Sequence, residues 1–320
     1  MNLHKTINRL LCSTMITGAV LFGASTAQAE VSDACKTVTF SDVGWTDITA
    51  TTATASVMLD ALGYNTKIEL LSVPVTYTSL KNGDVDVFLG NWMPTMSADI
   101  KPYLDDGSVE KLKANLEGAK YTLAVSKAAY DAGLKSFQDI AKFKDQLDGE
   151  IYGIEPGNDG NRLIQDMIDK NQFGLGEFEL VESSEQGMLA QVKRKTSRDK
   201  FIVFLGWEPH PMNAKYDMKY LDGGDDVFGP NYGGATVYTN VRKGYLADCP
   251  NAGKFVDNLK FSLAMENQIM DSILNGNEDP EKAAKTWLKD NADTAYGWLD
   301  GVTTVDGGDA KAALKDSLGL

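Results

Sequence analysis

Val87–Pro94 reads VFLGNWMP and Val203–Pro211 reads VFLGWEPHP. Each opens with a short apolar run of the kind that forms a buried strand, then delivers a tryptophan and a proline where the strand leaves the core, and the small Gly90 and Gly206 are expected to let the chain turn there. Outward from these two stretches, apolar runs of strand length alternate with amphipathic ones. Strands are expected at Thr37–Phe40, Lys67–Val73, Val85–Gly90, Lys120–Val125, Ile151–Ile154, Phe178–Val181, Phe201–Leu205 and Thr236–Val241. Helices are expected at Ile48–Leu62, Tyr77–Lys81, Phe137–Gln146, Asn161–Asn171, Glu185–Thr196, Ala252–Asn275 and Asp279–Leu299. That alternation is the pattern of α/β layers, not of a sandwich or a helix bundle. The Gly-rich segment Asp222–Gly234 is a candidate crossover between two lobes. The order gives lobe one as 30–119 plus 226–320 and lobe two as 120–225, inserted, with two crossing strands as the hinge.

The first residues form a separate unit. Lys5 and Arg9 precede an apolar stretch from Leu10 to Gly23, and Ala27-Gln28-Ala29 supplies an A-x-A cleavage pattern. Residues 1–29 read as a secretory signal peptide, since the apolar part is shorter than the roughly 20 residues that span a bilayer. Cys12 lacks the small neighbouring residues of a lipid-attachment site. Cleavage takes Lys5 and Arg9 from a formal net charge of −14, leaving −16. Such a chain has no general attraction for nucleic acid or anionic lipid. Cys35 and Cys249 remain, and an even pair in an exported protein reads as a disulfide.

Enzyme templates find little support. The chain has two histidines, His4 in the signal segment and His210 between two prolines, which reads as a loop residue. G-x-S-x-G, the phosphate loop, H-E-x-x-H and C-x-x-C are all missing. No cofactor is expected. The tryptophans are more telling: Trp45, Trp92 and Trp207 each follow a strand, where open α/β sheets line their ligand crevice. Three indoles converging there suit a stacked sugar, an aromatic ligand or a quaternary ammonium, which cannot donate a hydrogen bond and must be held by ring faces and nearby negative charge. Asp47 is placed to supply that charge, or to cap a helix. Trp287 and Trp298 read as core.

GWTD (44–47), GNWMP (90–94), AKYTLAV (119–125), GIEPGNDGN (153–161) and FLGWEPHPMN (204–213) together resemble the choline-binding periplasmic proteins of choline ABC transporters. These belong to the glycine betaine/choline/proline-binding group with the type II periplasmic-binding fold. The resemblance covers the mature chain and its cysteine pair. It implies an aromatic box of Trp45, Trp92, Tyr121 and Trp207 around a trimethylammonium group. It also implies Asp47 as charge partner and acceptor for the choline hydroxyl, with Asn158 bonding that hydroxyl from lobe two. On their own, Asn158 reads as a helix N-cap and Tyr121 as a sheet tyrosine. An ionised Asp47 would repel a betaine carboxylate, so choline is expected ahead of betaine and carnitine, and ahead of acetylcholine, which has no hydroxyl donor. The implied protein is a periplasmic monomer that closes on its ligand and docks on an inner-membrane permease. A chemoreceptor role stays open, and an exported choline-ester hydrolase is the rival from another class.

Overall fold

The computed structural model describes residues 31–320; the expected signal peptide, residues 1–29, lies outside them. Nine strands form one continuous sheet: β1 Thr37–Asp42, β2 Asn65–Leu70, β3 Val87–Met93, β4 Val109–Ser126, β5 Glu150–Tyr152, β6 Glu179–Val181, β7 Val203–Glu208, β8 Met218–Tyr220 and β9 Gly234–Arg242. Their order is β2-β1-β3-β9-β4-β7-β5-β6, with β8 also paired to β4. β1 to β3 are parallel at one end and β5 to β7 at the other. Between them lies the antiparallel pair β4 and β9. The eighteen-residue β4 belongs to both halves: Val109–Lys120 pairs with β9, with irregularities, and Lys120–Val125 pairs with β7. This is the two-lobed type II binding-protein architecture, with two strands running from one lobe to the other.

The central strands bury both faces, so β3 and β7 read as continuous apolar runs without alternation. Helix α1, Thr46–Ala61, is buried on most of its circumference, which explains its weak amphipathicity and its small Thr and Ala side chains. It packs between the sheet and helices Leu263–Leu274 and Pro280–Asp290. Two of its threonines turn back on the backbone, Thr51 Oγ1 donating to Asp47 O at 3.1 Å and Thr54 Oγ1 to Ala50 O at 2.8 Å.

Several expected elements are redrawn. The second strand stops at Leu70, because Ser72 and Pro74 start a helix, α2 (Val73–Asn82). The expected helix Ala252–Asn275 is broken: Phe261 N–H donates to Asn115 O, and the Ser262 side chain caps Leu263–Leu274. Gly90 and Gly206 lie inside strands. A Cβ on Gly90 would meet Ile48 at 2.9 Å and one on Gly206 would meet Ala124 at 3.0 Å, so these glycines admit close neighbours and do not turn the chain. Cys35 and Cys249 are disulfide-bonded, with Cα atoms 5.4 Å apart.

Candidate functional site

β1 ends in a tight turn. Asp42 accepts from Gly44 N–H (2.7 Å) and the Thr49 hydroxyl (2.7 Å), and Gly44 takes φ +82°, a conformation that costs other residues. The turn sets Trp45 as the first residue before α1 and Asp47 in its first turn. Trp92 lies within β3 opposite Val237 of β9. Tyr121 and Trp207 are direct cross-strand partners in the β4–β7 ladder, so their rings share one face.

These side chains surround one small cavity, lined by Trp45, Asp47, Trp92, Tyr121, Ile154, Asp159 and Trp207. It is tighter than the pockets that take drug-sized ligands, and suits a smaller molecule. Ring centroids of Trp92 and Tyr121 stand 6.0 Å apart, and those of Tyr121 and Trp207 6.3 Å, steeply inclined to each other. All four aromatic side chains are buried. Hydrogen bonds fix the polar edges of three of these rings. Trp92 Nε1 donates to Asp47 Oδ2 (3.2 Å), Trp45 Nε1 to Glu155 Oε1 (2.7 Å), and the Tyr121 hydroxyl to Asn158 Oδ1 (2.9 Å). Those three polar edges are therefore engaged within the protein.

The polar remainder is acidic. Asp47 Oδ1 and Asp159 Oδ2 are buried without a hydrogen-bond partner. Burial, reinforced by the nearby Glu185 charge, pushes the Asp47 carboxyl up to about 8. Burial likewise raises Glu155 to about 7 and Asp159 to about 6. Beneath α1, burial holds Glu266 well above the ordinary carboxyl range. A buried acidic cage of this kind is relieved by a cation. Aromatic rings beside buried carboxyl groups fit a compact cation that offers no N–H.

Of the six residues gathered from the sequence, Trp45, Asp47, Trp92, Tyr121 and Trp207 line this one cavity. Asn158 sits just behind it. Its Oδ1 caps helix Asp159–Asp169 by accepting from Asn161 N–H (3.1 Å) and also takes the Tyr121 hydroxyl; its Nδ2 donates to Asp159 Oδ1 (3.2 Å). The cap and the site are thus one residue. Sequence reasoning missed Asp159, Glu155 and Glu185. His210 lies in a loop as expected, between β7 and the short helix Met212–Lys215, but it is 2% exposed and its Nε2 lies 3.1 Å from Glu185 Oε1.

Fold and site together define a two-lobed receptor for a small ligand. Residues 36–290 match the substrate binding domain of ABC-type glycine betaine transport systems, and the chain belongs to that family of extracytoplasmic, substrate-binding transport proteins. Among solved structures it is similar to an ABC-transporter choline binding protein in complex with choline, at 66% identity and TM-score 0.89 over 90% of this chain and 99% of that one. The unliganded semi-closed form of an ABC-transporter choline binding protein is 67% identical over 90% of this chain and 100% of that one, with a TM-score of 0.83. Among curated relatives, the glycine betaine/carnitine transport binding protein GbuC of Listeria monocytogenes is 33% identical over 167 residues, 52% of this chain and 54% of that protein. Among the described residues no helix is long and apolar enough to cross a membrane.

Proposed function

We propose that this protein captures choline and delivers it to the permease of an ABC importer. The observation that carries this reading is the cavity itself: three indoles and a phenol line it, next to buried carboxylate oxygens that have no hydrogen-bond partner. A trimethylammonium group satisfies both halves, gaining roughly 0.5–2 kcal/mol from each well-placed ring. Asp47 supplies the compensating charge and accepts from the choline hydroxyl, while Asn158, behind the cavity, serves by holding the Tyr121 hydroxyl in place. Choline bound to a relative at 66% identity supports the assignment.

Lobe one comprises 30–119 and 226–320, and lobe two 120–225. The crossing strands support a division near these points, β4 pairing with β9 as far as Lys120 and with β7 from Lys120 to Val125, and β9 beginning at Gly234. Ligand enters between open lobes, and closure brings Trp45, Asp47 and Trp92 against Tyr121 and Trp207, favouring the state that encloses it. The protein works as a monomer in the periplasm after removal of residues 1–29. No bond is made or broken. The hydrolase reading loses its base, because His210 Nδ1 accepts from Met212 N–H (2.9 Å) while Nε2 faces Glu185.

Equilibrium dialysis with choline, glycine betaine and acetylcholine, with free acid assayed alongside, tests this. The expected outcome is choline bound most tightly and acetylcholine recovered intact; tighter retention of glycine betaine, or acid release, overturns it.

A further inference from the structure

Thr46 separates two cavity-lining residues, Trp45 and Asp47, and its own polar groups face away from the cavity. Its N–H and its hydroxyl both donate to the Glu185 carboxylate, at 2.8 Å to Oε2 and 2.6 Å to Oε1. Glu185 begins the helix Glu185–Thr196, 139 positions along the chain and in the opposite lobe. The first N–H groups of α1 have no partner within their own helix, and the helix dipole favours an anion there. Here that anion is delivered across the cleft, fully buried.

His210 completes the arrangement. Because Nδ1 accepts from Met212 N–H, the ring proton sits on Nε2 and points at Glu185 Oε1, 3.1 Å away. The same ring packs edge-on against Trp207, centroid to centroid 4.8 Å. One chain of contacts therefore runs from Trp207 of lobe two through His210 and Glu185 to Thr46, between two cavity walls of lobe one. We infer that Glu185, oriented by His210, is the latch of the closed state: it grips Thr46 across the cleft and governs how slowly ligand leaves. Neither residue touches the cavity, so both are positioning residues. The inference rests on the choline reading only for the ligand used to observe it.

Glu185→Gln is isosteric and discriminating. If the amide oxygen accepts from Thr46 N–H, the NH2 group opposes His210 Nε2–H; if it is flipped, the NH2 group opposes Thr46 N–H. Either way a donor meets a donor. Stopped-flow tryptophan fluorescence on the full chain measures association and release of choline. Glu185→Gln should speed release about tenfold or more, the scale of a lost hydrogen bond to a charged group, with association within about twofold of the parent. Thr46→Val should speed release several-fold, and Thr46→Ser, which keeps the hydroxyl, should restore slow release. Parental release rates in both Glu185→Gln and Thr46→Val overturn the latch, as does a Thr46→Ser variant as fast as Thr46→Val. If the parent protein ignores choline, the ligand assignment is what fails, and the same kinetics run with glycine betaine decide the latch.

Discussion

Replacing Asp47 by Asn tests how the cage neutralises its cation. The side chain is buried, Oδ2 holds Trp92 Nε1, and Oδ1 has no partner. Asn keeps the shape and an oxygen for Trp92 but removes the charge. With a carboxylate about 5 Å from a quaternary nitrogen and an effective dielectric near 20, the lost attraction is about 3 kcal/mol. Part of this is already offset in the parent, because a carboxyl pushed up to about 8 must be ionised at pH 7, costing about 1.4 kcal/mol. The net loss is about 2 kcal/mol, or roughly 30-fold in choline affinity. Glycine betaine carries its own carboxylate, so the same substitution should leave its affinity unchanged or improve it. Calorimetric titration of both ligands at pH 7 gives the ratio. A choline loss below about threefold, or equal losses for the two ligands, would refute the electrostatic account.

The raised carboxyl also fixes the pH dependence. A bound cation favours ionised Asp47, so below about pH 8 binding releases a proton, and Kd should fall by up to about tenfold per unit as pH rises from 6 to 8 and then level off; calorimetry in buffers of different ionisation heat reads the proton directly. Without ligand the sign reverses: the Asp47 contribution to stability is intact below its ordinary pKa of 3.8 and is lost as pH rises through about 8, so the ligand-free melting temperature should decline across that window. Gly160→Ala would place a Cβ 2.0 Å from the Tyr121 hydroxyl, and displacing that ring should weaken choline binding by about 1–3 kcal/mol in the same titration. Reducing the Cys35–Cys249 bond, which closes a loop over 214 positions, removes up to about 5 kcal/mol of chain-entropy stabilisation. The melting temperature should drop, while choline affinity, set far from the bond, stays within about twofold.

Much of this molecule is legible in its sequence because its signals are local. The VFLG runs reveal buried strands by composition, and the indoles that follow them stand out as large rings at strand ends. Charge and spacing conceal the rest. The first half of β4, VEKLKANLEG, alternates charged with apolar residues along a partly exposed strand and resembles no buried run. β8 is three residues long and exists through its pairing with β4. Glu155, Glu185 and His210 each look ordinary in their own segment; they acquire meaning from partners on distant segments, Trp45 for Glu155 and Thr46 for Glu185. Asp159 follows the more conspicuous Asn158, and only the fold shows that the aspartate faces the cavity while the asparagine braces Tyr121 behind it. Gly90 and Gly206 show the converse error, since a glycine after an apolar run suggests a turn until the neighbour filling the missing Cβ space is seen.

The central claim is that Trp45, Trp92 and Trp207 are walls of one choline cage. Titrating the unmodified chain with choline while following tryptophan fluorescence tests it directly, because three of the five tryptophans surround the cavity. A saturable 1:1 change accompanied by a rise in melting temperature is the predicted result. Fluorescence and melting temperature both unmoved at millimolar choline would contradict it.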